Sequence, residues 1–309
     1  MKLFTTILAG IFLSVSCYTH ANDEKKAAII VSSKIDTEGA LLGNLIVQAL
    51  NDSGISTINK LQMGNTRILR QAISSAAIDI YPEYTGNGAF IFGMEADPVW
   101  KNAEKGYQRV SKLDKEHNQL IWLLPAPVSN GWGIAVRNDI AEKNGLHSLS
   151  DFSRWLKHGG NVRLAASAEF IERADALPAF EKAYGFTLTD KQLVALAGGD
   201  TAQTLRAAAM NTSGVNAAMS YGTDGELVAL ELTLLSDPEG IQPVYAPTPV
   251  ARAEVLHSHP EIANILDPIF ATLDAKTLQS LNARIAVNGE EAEQVAHEYL
   301  MQKRLIKHR

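Results

Sequence analysis

The chain has 309 residues, enough for roughly two domains. Its 46% hydrophobic and 20% charged residues are the composition of a packed globular protein, which excludes disordered and fibrous classes. A formal net charge of −6 argues against broad phosphate-backbone binding, and a single cysteine, Cys17, excludes a disulfide framework or a cysteine-built metal centre.

The first predicted element is a targeting segment. Lys2 precedes an apolar run from Leu3 to about Val15, and Thr19 and Ala21 stand at the −3 and −1 positions of a cut before Asn22. That is the layout of a secretory signal peptide over residues 1–21. The apolar run falls short of the roughly 20 residues that a membrane span needs, so a soluble periplasmic protein is expected. LSVSC around Cys17 offers a lipid-modified terminus as the alternative, although Ser14 stands where that pattern wants leucine.

From Ala27 onward, strand-like apolar runs alternate with amphipathic helical segments. AAIIVSS reads as a buried strand. LLGNLIVQALNDSG reads as a helix stopped at Gly54, with Thr37 as its candidate cap and Glu38 in its first turn. STINKLQM, TRILRQAISS and AIDIYP continue as strand, helix, strand, followed by the charged helix WKNAEKGYQRVSKLDKEHN. Two strands come next, LIWLLPAPV and WGIAVRND. A further round runs SLSDFSRWLKHGG (helix), VRLAAS (strand), ALPAFEKAYG and TAQTLRAAAMN (helices), then GVNAAMSY and LTLLSD (strands). The tail from Ala251 is mostly helical.

This alternation predicts an α/β protein with mainly parallel sheets flanked by helices. No Pro- or Ser-rich linker divides the chain, so two interleaved lobes are expected, with crossings near Val128–Trp132 and Leu235–Val244. Lobe 1 is assigned residues 27–130 plus 240–309, and lobe 2 residues 131–239.

Common catalytic signatures are missing: the chain contains no GxxxxGK[ST], GxGxxG, GxSxG or HExxH. The histidines show no metal-ligand spacing, and His257, His259, His297 and His308 in the polar tail read as solvated surface. Asp79 with Glu83 is a carboxylate pair that the sequence does not separate from surface charge. A binding protein without cofactor or metal is the economical expectation, with an enzyme or chaperone on the same fold as the rival.

Three features go further. SSKIDTEGALLGN puts Lys34 at the carboxyl end of the first strand, where open α/β sheets bind ligands. IDIYPEYTGNGAF ends a strand in a polar, aromatic, Gly-rich turn. Trp132, Tyr221 and Tyr245 each fall at a predicted strand end or crossing. With LAASAEFIERADALPAFEKAYGF and GVNAAMSYGTDG, these blocks resemble the osmoprotectant-binding proteins of ABC importers over essentially the whole mature chain. That family comprises the glycine betaine, choline and proline-betaine binders with a type II periplasmic-binding fold.

The resemblance implies a ligand cleft between the lobes and a cage of aromatic rings around a trimethylammonium head. By motif, the cage is Tyr84, Trp132, Tyr221 and Tyr245. It also implies that Lys34 and Arg173 stand near the ligand's carboxylate and Asn87 near its polar end. The residue types suit the chemistry. A quaternary ammonium has no N–H to donate, and ring faces offer it negative potential worth ~0.5–2 kcal/mol per contact. Arg meets a carboxylate in bidentate fashion. Two departures fall close to these positions: Asp36 and Gly39 stand where many relatives carry an aromatic and an amide, and Asn87 replaces a commoner Thr or Asp. The implied partners are a small quaternary ammonium solute and the permease subunits of an ABC importer, with no nucleic acid and a monomeric state. A receptor for another cationic or amino-acid-like solute is the alternative.

Overall fold

The computed structural model describes residues 27–196 and 201–307. The signal-peptide segment, Cys17 and His308 lie outside the described residues. Ten strands are described: β1 (Ile29–Lys34), β2 (Thr57–Gly64), β3 (Ile80–Tyr84), β4 (Leu120–Trp122), β5 (Trp132–Arg137), β6 (Leu164–Ser167), β7 (Leu193–Leu196), β8 (Ala217–Tyr221), β9 (Leu232–Leu234) and β10 (Pro247–Arg252). They form two five-stranded sheets, in the orders β2-β1-β3-β10-β4 and β7-β6-β8-β5-β9. The chain leaves the first sheet after Trp122, enters the second at Trp132, and returns between Leu234 and Pro247.

The sheets are mixed rather than mainly parallel, which corrects the sequence expectation. In the first, β1 pairs in parallel with β2 and β3, whereas β10 pairs antiparallel with both β3 and β4. In the second, β6 pairs in parallel with β7 and β8, whereas β5 pairs antiparallel with β8 and β9. The reason is topological. β5 and β10 are the strands that follow the two crossings, so each enters its sheet from the edge that faces the other lobe. Their first residues therefore lie beside the last residues of the parallel strands.

Each lobe has its own core. In the helix Thr37–Asp52, Leu41, Leu42, Leu45, Ile46 and Leu50 are fully buried between the first sheet and the helix Ala292–Gln302. The second lobe is filled around Phe152, Leu164, Phe170 and Phe180. Asp36, not Thr37, caps the first helix: its carboxylate accepts from Gly39 N at 2.6 Å, and Thr37 is the first helical residue. Gly39 is required there, because a Cβ would come within 2.3 Å of the Lys34 carbonyl oxygen. In the tail, His259 is buried rather than solvated, with Nδ1 3.0 Å from a Glu261 carboxylate oxygen.

Two strands escape the sequence pattern. β7 is a four-residue run, LVAL, at a sheet edge. β10 carries Pro247 and Pro249, which ordinarily argue against an interior strand. Its ladder shows why they are tolerated. In antiparallel pairing a residue's N–H and C=O point to the same side. The carbonyls of Pro247 and Pro249 accept from Ala126 N at 2.8 Å and Leu123 N at 2.9 Å. The missing N–H groups thus face the segment beyond Trp122, where β4 has already ended. LIWLLPAPV accordingly forms a strand only over its first three residues.

Candidate functional site

The mixed topology gathers the expected residues at the facing sheet edges. Lys34, Tyr84 and Tyr221 are the last residues of β1, β3 and β8; Trp132 is the first of β5, and Tyr245 lies two residues before β10. Trp132 and Tyr221 are directly opposite in register, which places both side chains on one face of the sheet. Their rings stack at 6.3 Å and 22°, and Phe170 meets Trp132 edge-on at 5.9 Å. Tyr245 rests against Gly86, where a Cβ would come within 2.8 Å of its ring, so this turn accepts only glycine.

On the lobe 1 side everything converges on Glu83, which is fully buried. One of its oxygens, Oε1, takes the Lys34 ammonium at 2.8 Å, Tyr84 N at 2.8 Å and Asn87 Nδ2 at 2.7 Å; Tyr81 donates its hydroxyl to Oε2. Lys34 also donates to Thr66 Oγ1 at 2.8 Å and stands 4.5 Å from the centroid of the Tyr84 ring. The ammonium nearest the expected cage is thus bound by the protein itself. Asn87 is turned inward onto Glu83 and Thr66.

The hydroxyl of Tyr84 reaches a second buried carboxylate, Glu38, donating to it at 2.7 Å. Glu38 also accepts from Asn130 in the first crossing and from Asn282 in the helix Ala275–Ala286. Asn282 donates in turn to the Thr223 carbonyl, and Gln279 to that of Gly222, just after Tyr221. One network therefore joins β3, a crossing, the C-terminal helices and lobe 2. Burial raises the Glu38 carboxyl above its ordinary value against these hydrogen bonds, and raises the Tyr84 hydroxyl strongly.

On the lobe 2 side the cation is Arg173. Its guanidinium carbon lies 4.5 Å from the Trp132 ring centroid. It makes a two-pronged pair with Asp175 (2.8 and 2.6 Å) and a further bond to Glu169 at 2.8 Å. That pairing holds the Asp175 carboxyl below the usual range. The Tyr245 hydroxyl is pushed up to about 12 by burial and then by Asp175, with Arg173, Tyr221 and Glu169 also acting on it. Tyr245, from the return crossing, therefore lies within electrostatic reach of the Arg173 cluster. Burial likewise pushes Tyr221 to about 12, so both phenols stay neutral at physiological pH. Trp132 Nε1 is buried and completes no well-formed hydrogen bond, its N–H acting on the Tyr221 hydroxyl only against the effect of burial.

The seven expected residues thus form two groups. Lys34, Tyr84 and Asn87 are bound together by Glu83. Trp132, Tyr221 and Arg173 form a ring-and-guanidinium stack, with Tyr245 beside it. The sequence did not assign to the site the residues that hold these groups: Glu83, Thr66, Glu38, Asn130, Glu169 and Asp175. Glu83 stood out only as a carboxylate near Asp79 and Glu38 only as a first-turn acid, and Glu169 and Asp175 lie within the family-like motif around Arg173, but nothing in a sequence distinguishes a buried acid from a solvated one.

Two α/β lobes with rings and charges gathered on their facing edges define the class of two-lobed solute-binding proteins. The chain belongs to the family described as the substrate binding domain of the ABC-type glycine betaine transport system, whose model matches residues 27–302. It is 65% identical over 273 residues to the glycine betaine-binding protein YehZ of Escherichia coli K12, covering 88% of this chain and 90% of that protein. It is 31% identical over 282 residues to a glycine-betaine-binding protein of Pseudomonas aeruginosa, covering 89% and 88%. The solved structure of apo YehZ from Escherichia coli superimposes with a TM-score of 0.81 at 63% identity, covering 90% of this chain and 99% of that one.

Proposed function

We propose that this protein is the exported receptor of an ABC importer and captures betaine-type quaternary ammonium solutes between its lobes for delivery to the permease. Tyr84, Trp132, Tyr221 and Tyr245 supply the ring faces, Arg173 the partner for a ligand carboxylate, and Lys34 and Asn87 a fixed polar wall around Glu83. The observation that carries this reading is the contact between the Arg173 guanidinium and Trp132, because a ring that already accepts a cation is electrostatically and sterically suited to another. The family and its betaine-binding relatives support the same ligand class. The N-terminal pattern supports export, with the mature chain starting at Asn22.

The test is calorimetric titration of the mature protein with glycine betaine, proline betaine, choline, carnitine and ordinary amino acids. A quaternary ammonium is expected to bind, and Trp132→Ala to weaken it by about 1–3 kcal/mol, with Trp132→Phe milder because a ring face survives. Binding of an ordinary amino acid and of no quaternary ammonium would overturn the reading.

A further inference from the structure

The two internal cations are held very differently. The Lys34 side chain is 12% exposed and its ammonium is paired to Glu83, whose side chain is 0% exposed, so it is fixed over Tyr84. Arg173 is 43% exposed, and its partners Glu169 and Asp175 are 57% and 41% exposed. Exposed ion pairs are weak and exchange readily with water or with another anion. Arg173 therefore sits over Trp132 on a replaceable footing, in the place that a ligand ammonium needs.

We propose that Arg173 is a built-in competitor for the cation position on Trp132, and that this makes the site select zwitterions over simple cations. The proposal rests on the betaine reading and adds a selection rule to it. A betaine carries two groups, and each replaces one half of the internal arrangement. Its ammonium takes the ring face from the guanidinium, and its carboxylate takes the guanidinium from Asp175 and Glu169. The displaced arginine keeps a bidentate anion throughout. Choline or tetramethylammonium replaces only the ring contact and leaves two cations side by side with no added anion. Arg173 thus penalises a bare cation and supports a zwitterion of the same head group.

The experiment titrates tetramethylammonium, choline and glycine betaine into wild type, Arg173→Ala and Arg173→Gln. The Gln variant keeps a polar side chain beside Asp175 but loses the charge, and so guards against a folding artefact in the Ala variant. Both substitutions are expected to tighten tetramethylammonium and choline by about fivefold, the equivalent of one exposed cation–π contact, while glycine betaine weakens. If wild type binds glycine betaine but neither substitution tightens the bare cations, the competitor role falls and the betaine reading stands. If none of the three solutes binds any of the proteins, both fall.

Discussion

The two halves of the site use the same device, a basic side chain over an aromatic ring backed by carboxylates, in opposite surroundings. Around Lys34 the anion is fully buried and accepts from three donors with one oxygen. Around Arg173 all the charged partners are half in water. In a low-dielectric setting, separating the pair would strand a charge at a cost of several kcal/mol. In water the same separation costs ~1 kcal/mol or less. Burial, more than residue type, decides which cation is part of the wall and which can give way to a ligand. The Glu38 network completes the wall, since it ties Tyr84 to the first crossing and to the helix that supports Thr223.

The largest expected effect breaks the wall. Lys34→Ala leaves Glu83 buried with hydrogen bonds but no counter-charge and is expected to destabilise the protein by about 3–5 kcal/mol. Urea denaturation measures this directly. A loss under ~1 kcal/mol would mean that Lys34 is as replaceable as Arg173, and the contrast between the halves would disappear.

A second, smaller effect concerns a partly buried acid on the lobe 2 side. Asp224 accepts from Tyr221 N at 2.7 Å and also meets the Thr201 hydroxyl, with Glu226 and Glu38 nearby. Burial pushes its carboxyl from 3.8 up to about 7. The folded state therefore holds this proton to a higher pH than the unfolded state. The group's contribution is fully present below about pH 4 and is lost as pH rises towards 7, a swing of ~4 kcal/mol at most. Asp224→Asn keeps an acceptor for Tyr221 N and removes the titration. Melting curves from pH 4 to 8 should show wild type losing stability relative to the variant as pH rises. Parallel profiles would mean that Asp224 is ionised throughout at no cost.

How far the sequence foretold this site follows from what a pattern can encode. Trp132 and Tyr221 fall at the ends of runs with clear strand character, so their place on the facing edges was readable. Their stacking required the antiparallel register of β5 and β8, which depends on the direction from which the chain re-enters the sheet. β10 was hidden because its prolines violate strand propensity, and they are tolerated only because their missing donors face a stretch where β4 has ended. Asp36 displaced Thr37 as the helix cap by one residue, because its carboxylate is the group that reaches Gly39 N. Glu83 and Asp175 are both acids next to the site, and only burial makes one a fixed hub and the other an exchangeable partner.

The smallest expected effect is also the most direct check on the contrast. Arg173→Ala removes three charge-assisted hydrogen bonds and a ring contact, which on a contact count should matter more than Lys34→Ala. Solvent exposure reverses that order. Glu169 and Asp175 recover water when the guanidinium is lost, and the Trp132 ring stays packed against Phe170 and Tyr221. Arg173→Ala is therefore expected to cost about 1 kcal/mol or less, part of it lost packing of the arginine stem on the ring. The ionic share should shrink further in high salt, because the pair is screened, whereas the Lys34→Ala loss should change little. Urea denaturation of both variants at low and high salt reads out the two behaviours in one experiment. A salt-insensitive loss of several kcal/mol for Arg173→Ala would make Arg173 part of the wall, and with it the cation position on Trp132 would be closed to any ligand.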